Sequence, residues 1–174
     1  MDKSRYPIGS YQAKKTISTR DVAKWIDDIQ ELPVKLRSEV SYLTDEQLDT
    51  AYREDGWTVR QLVHHIADSH INSYTRFKLA LTEDRPSIKP YLQDEWANLP
   101  DTSMPVAVSL QLIESLHKRW VVLLKSLDED QLNRELIHPE SGTLVLKSMI
   151  GQYAWHGKHH LAHIVNLKEK KDWN

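Results

Sequence analysis

One short pattern occurs twice and constrains the fold more than anything else in the chain. Leu43-Thr44-Asp45-Glu46-Gln47-Leu48-Asp49 is echoed 84 positions later by Leu127-Asp128-Glu129-Asp130-Gln131-Leu132-Asn133. In the first copy Thr44 and Gln47 have capping-box spacing: the hydroxyl accepts from one orphan N–H of a helix start while the amide reaches back to another. Each copy stands between a long stretch of helical period and a second stretch rich in histidine. Two helix-turn-helix halves of this kind predict an all-α four-helix bundle with a pseudo-two-fold arrangement.

The apolar spacing supplies the four helices. Val22, Trp25, Ile26, Ile29, Leu36, Val40 and Leu43 recur at steps of three and four behind a Ser18 N-cap, predicting a helix over 19–43 that Pro33 kinks. Thr58 and Gln61 repeat the capping box and open a second helix traced by Val59, Leu62, Val63, Ile66, His70, Tyr74, Phe77 and Leu81. A third helix begins at Ser103 and Pro105 and keeps its period to Leu127, and a fourth runs from about 146 to 171 after a turn at His138–Thr143. Between the second and third, Pro86, Pro90 and Pro100 interrupt any helix, so residues 82–104 form a long crossover loop. Its aromatics, Tyr91 and Trp96, are placed to close over a pocket or a partner. Residues 6–17 show no period and read as an arm packed on the bundle.

Composition narrows the function. A length of 174 residues suits one core, so the expectation is a single domain over 1–174. With 23 basic against 25 acidic residues, and the basic ones scattered, no nucleic-acid surface is indicated. No stretch approaches the roughly 18 apolar residues of a membrane span, and the first residues lack a signal-peptide core, which makes a cytoplasmic location the expectation. The absence of cysteine removes disulfides and a thiol nucleophile, leaving His, Asp and Glu as metal ligands. Any thiol chemistry needs a thiol brought in as substrate.

Histidine is where the chemistry concentrates. Trp155-His156-Gly157-Lys158-His159-His160-Leu161-Ala162-His163 carries four of the nine histidines, and His64, His65 and His70 form a second group. Residues four apart share one helix face, so His156 with His160, or His159 with His163, can hold one ion, and a third histidine from the second helix completes a site with an open position. The apolar stripes favour His70, His156 and His160 as the inward set, with His64 and His65 on opposite flanks. A hydrogen-bonded core role suits His70 as well, and His117 and His138 read as surface or structural residues. Neither HxxxH pair encloses the glutamate of an HExxH protease. Asp68, one turn beyond His64 and His65, suits either a general base or a hydrogen bond behind a ligand.

Gly56-Trp57-Thr58-Val59-Arg60-Gln61-Leu62-Val63-His64-His65-Ile66-Ala67-Asp68-Ser69-His70, with His159-His160-Leu161-Ala162-His163-Ile164, closely resembles the YfiT-like branch of the DinB superfamily. The likeness extends to Tyr6-Pro7-Ile8-Gly9, Ser73–Leu79 and Pro90-Tyr91. It implies a four-helix bundle, commonly a homodimer, that binds one divalent ion per subunit, zinc or nickel, through three histidines. Matched to the family pattern these are His65, His159 and His163, against the preference of the helical stripes. The family was first described as metal-dependent hydrolases, and similar members transfer bacillithiol, a low-molecular-weight thiol, to electrophiles. Three neutral imidazoles leave an ion its full charge, enough to hold a thiol as thiolate or to acidify a bound water. Thiol transfer to a small-molecule substrate is therefore the leading expectation, hydrolysis the alternative, and a non-catalytic metal-binding stress-response module the third.

Overall fold

The computed structural model describes residues 4–173. In chain order the elements are α1 (Thr19–Val40), α2 (Asp45–Leu48), α3 (Val59–Thr82), α4 (Gln93–Trp96), a 3-10 turn (Pro100–Ser103), α5 (Val106–Lys125), α6 (Glu129–Leu132), strands β1 (Glu135–His138) and β2 (Gly142–Val145), and α7 (Leu146–Lys171). Among the described residues no helix is long and apolar enough to cross a membrane.

The helix starts follow from the capping residues. Ser18 with Asp21, Thr44 with Gln47, Thr58 with Gln61 and Asp128 with Gln131 each form a complete capping box, so four of the elements open on the same reciprocal pair of hydrogen bonds. The internal echo is thus real as local structure: both copies fold into a capped single turn, α2 and α6. It does not extend to packing. α1 packs against α5 and α7, and α3 packs against the same two, so α1 and α3 face each other across the bundle rather than forming a hairpin. The expected assembly of two hairpins is corrected accordingly. α1 and α3 lie on one diagonal and α5 and α7 on the other, so α3 and α7, which carry the two histidine groups, are neighbours.

Two apolar clusters fill the bundle. One gathers Ile29, Phe77, Trp120, Met149 and Ile150; the other gathers Leu36, Leu62, Ile66, Ile113 and Ile164. Each fully buried side chain of this size contributes about 1.5–3 kcal/mol relative to an exposed one. Between the clusters, at the same level on all four long helices, stand Pro33, His70, His117 and the His156–His160 stretch, which makes the middle of the bundle a polar layer. α1 runs unbroken through the buried Pro33.

Two features depart from an all-helical outline. Residues 135–145 form a hairpin with Glu135 opposite Val145 and His138 opposite Gly142, and Ser87 of the crossover bridges to Ile137. Strands of four residues are too short to show a two-residue period, so only the turn between them is legible in the sequence. The arm lies along α7, where Tyr11 Oη donates to the Ser148 carbonyl (3.1 Å) and Trp155 Nε1 to the Gly9 carbonyl (3.2 Å).

Candidate metal centre

His65 projects from α3 toward α7 and meets two of the four histidines there. His65, His156 and His160 each offer a nitrogen, and these three atoms lie within 4.8 Å of one another. The His156 and His160 Nε2 atoms are 3.1 Å apart. Two nitrogens held at about 2.0–2.1 Å by one tetrahedral ion stand roughly 3.3 Å apart, so this spacing fits a shared cation. His159 and His163 have almost the same separation, 3.2 Å between Nε2 atoms, because the helix imposes it on any i, i+4 pair. What distinguishes the pairs is the third ligand, since among the described residues only the first converges with a further His, Asp or Glu.

Of the ligand set implied by family resemblance, His65, His159 and His163, the structure brings only His65 into this convergent group. Three residues of helix advance about 300°, some 60° short of a full turn, so choosing 159 and 163 over 156 and 160 rotates the pair by about 60°, away from His65 on α3. His159 instead lies against Trp155 (ring centroids 4.6 Å, planes within 22°) and His163 against Tyr52 (4.3 Å). His163 is also hydrogen-bonded to the backbone of Arg5, so this pair fastens the arm. The apolar stripes mark His156 and His160, the two that the structure brings together with His65. They also mark His70, which lies directly behind His156 rather than in the trio, its Nε2 3.2 Å from His156 Nδ1.

Asp68 is not brought to the trio. It lines neither cleft that reaches the site, and its half-buried carboxyl is pushed up to about 6 by burial and by the negative charge of Asp101. His64 is likewise withdrawn, bonded to Ser109 Oγ (2.7 Å) and the Met104 carbonyl (3.0 Å). His117 is no surface residue: it is 1% exposed.

Electrostatics suit a cation. Burial pushes His65 down to about 4, and burial together with the neighbouring imidazoles holds His156 and His160 well below the ordinary histidine range. At neutral pH all three are uncharged and carry the lone pairs that ligation requires. Trp57 packs on His65 with ring centroids 4.5 Å apart, restricting its rotation.

Two clefts reach this site. One, of about 500 Å³, is lined by Arg5, Arg53, Trp57, His65, His156 and His160, among others. The second, of about 530 Å³, includes Arg76, Tyr91, Glu140, Tyr153 and His156. Gln93 and Asp94 of α4 line both, so the crossover loop borders both clefts, and of its two aromatics Tyr91 lines the second. Tyr91 packs against Trp96 (4.6 Å), and burial pushes its phenol up to about 12, which keeps it a hydrogen-bond donor. Asp94, the one carboxylate common to both clefts, was missed in the sequence because nothing in an exposed loop acid marks its direction.

Residues 28–164 match the model of the DinB superfamily. The chain belongs to that superfamily. A Bacillus cereus protein named "Putative metal-dependent hydrolase" is 53% identical over 173 residues, covering 99% of this chain and all of the relative, and a like-named Bacillus mycoides protein matches equally well. The solved structure of YfiT from Bacillus subtilis, described as "a probable metal-dependent hydrolase with an unusual four-helix bundle topology", superposes with a TM-score of 0.96 at 45% identity over 99% of both chains. A mycothiol-dependent maleylpyruvate isomerase shares the fold at 18% identity, with a TM-score of 0.62 over 83% of this chain and 63% of that one.

Proposed function

We propose that the chain is a metal-dependent enzyme that holds a divalent ion on His65, His156 and His160 and transfers a low-molecular-weight thiol, bacillithiol, to an electrophile. The observation that carries this reading is the pair of clefts meeting at His156, which gives two substrates separate approaches to one centre. When bound, the ion supplies positive charge that favours the thiolate, the reactive form of a thiol, at neutral pH. Zinc and nickel both suit three imidazole ligands.

The chain's own residues supply orientation and proton handling. His65, His156 and His160 are neutral and need no deprotonation before ligation. Asp94, facing both clefts, is the acceptor assigned to the thiol proton, and the Tyr91 hydroxyl is the donor assigned to the electrophile's developing negative charge. Arg5 and Arg53 in the first cleft offer cationic contacts to an acidic thiol cofactor. A chain without cysteine takes its thiol from outside.

Hydrolysis is the second reading, favoured by the names of the close relatives. The metal-loaded protein incubated with bacillithiol and a panel of electrophiles is expected to give thiol adducts by mass spectrometry, and chelation is expected to stop them. Cleavage of an ester, amide or lactone library without any adduct would replace transfer by hydrolysis.

A further inference from the structure

Behind the trio a line of buried imidazoles runs through the middle of the bundle. His156 Nδ1 lies 3.2 Å from His70 Nε2, His70 Nδ1 lies 2.8 Å from His117 Nε2, and His117 Nδ1 lies 2.7 Å from the Ile29 carbonyl oxygen. The His70 and His117 rings are within 6° of parallel with centroids 5.0 Å apart, the geometry of an edge-to-edge hydrogen bond. Trp120 stands nearly perpendicular to both, and Tyr153 to His70, closing the line on its sides. His70 and His117 are 0% and 1% exposed.

The far end of this line has a cause in the sequence. In an uninterrupted α-helix the Ile29 carbonyl accepts from the N–H of the residue four positions on. That residue is Pro33, which has no N–H, so α1 leaves the Ile29 oxygen free to accept from a neighbouring helix. His117 on α5 takes it.

A carbonyl only accepts, and this fixes every proton in the series. His117 must carry its proton on Nδ1, which leaves Nε2 of the neutral ring as an acceptor. His70 must then donate from Nδ1, leaving its own Nε2 as the acceptor, and His156 must donate from Nδ1 in turn. Among the described residues no carboxylate hydrogen-bonds to any of these rings, and a buried imidazolium without a counter-charge is costly, so the rings are neutral. The end product is a His156 ring whose Nε2 lone pair is bare and directed at His65 and His160.

We propose that His70 and His117 are positioning residues, which together with the Ile29 carbonyl freed by Pro33 hold His156 in the one tautomer that can ligate a divalent ion through Nε2. This rests on the trio being a metal site. Neither residue touches the ion or substrate; each acts through the next ring. Imidazole ligands take this kind of support from a partner on their other nitrogen, and its loss lowers metal affinity about 10–100-fold. Here the partner is a chain of two further histidines that draws α1, α5 and α3 into the definition of a ligand on α7.

Two measurements test the relay. In metal-free, ¹⁵N-labelled wild-type protein, long-range ¹H–¹⁵N correlation is expected to show His117, His70 and His156 all protonated at Nδ1; a His156 protonated at Nε2, or averaging between tautomers, overturns the proposal. In zinc titrations against a competing chelator, His117→Phe is expected to weaken binding about 10–100-fold. His117→Gln is expected to recover most of that loss, because its amide oxygen can again accept from His70. A folded His117→Phe chain with wild-type zinc affinity overturns the proposal, whereas a merely space-filling role would lower thermal stability in both variants alike and leave affinity unmoved. Should His117→Phe not fold, the wild-type tautomers decide. A wild-type chain that binds no divalent ion would sink the metal-site reading itself, and the tautomer spectrum would still accept or reject the relay.

Discussion

The two HxxxH pairs of α7 share a helix, a spacing and nearly the same nitrogen separation, 3.1 Å for His156 and His160 and 3.2 Å for His159 and His163. Their surroundings differ entirely. The first pair faces His65 across the α3–α7 interface and is backed by His70; the second faces Trp155, Tyr52 and the arm. Helix geometry creates paired imidazoles wherever histidines stand four apart. Only a third ligand from a neighbouring helix turns such a pair into a site, so the pairs should separate sharply by experiment.

The largest expected difference is in metal content. His156→Ala and His160→Ala each remove a ligand of the proposed site and should weaken binding by more than the roughly 100-fold upper range for residues that only support a ligand. His159→Ala and His163→Ala should keep one ion per chain. Elemental analysis after gel filtration checks this, and metal loss confined to the 159 and 163 variants would reverse the assignment of the two pairs.

Acid should act on the trio, on the imidazoles behind it and on the second pair for the same reason. Burial pushes His65, His117 and His163 each down to about 4, against an ordinary value of 6.5. Between those values the unfolded chain binds more protons than the folded one, so metal-free stability falls as pH drops from 6.5 toward 4. For a ring as buried as His117, 1% exposed, a shift of this size corresponds to roughly 3 kcal/mol. Urea unfolding at stepped pH should show the slope. His163→Phe should reduce it while leaving zinc affinity near wild type, and a pH-independent midpoint across this window would refute the buried-neutral description.

A smaller effect is expected at Gly157, which follows His156 on the helix. A Cβ there would come within 2.5 Å of Leu32 Cδ2, so α1 and α7 approach closely at the level of the site. Gly157→Ala should cost about 1–3 kcal/mol through crowding, offset in part by about 1 kcal/mol of helix propensity. Leu32→Ala in the same chain should relieve the crowding, and additive losses in a double-mutant cycle would argue against direct contact.

Much of the architecture was legible because it is written locally. Ser18, Thr44 and Thr58 mark helix starts through hydrogen bonds spanning three residues, and the apolar stripes of α1, α3, α5 and α7 repeat within a few turns. The β1–β2 hairpin was hidden by the shortness of its strands, and Asp94 by its place in a loop. His117 looked isolated because its partners, Ile29 and His70, lie 88 and 47 residues away in the chain.

By itself the sequence determined the helices, their caps, the supply of histidines and the two i, i+4 pairs, since each depends on residues within one or two turns. The proline that frees the Ile29 carbonyl was also present in it, as a break in the backbone hydrogen-bond ladder with no visible consequence. Tertiary structure decided which helices are neighbours, and through that which pair meets His65 and which imidazoles line up behind it. The rotation of one helix against another is set by packing summed over the whole interface, and about 60° of that rotation separates the pair that meets His65 from the pair that meets the arm.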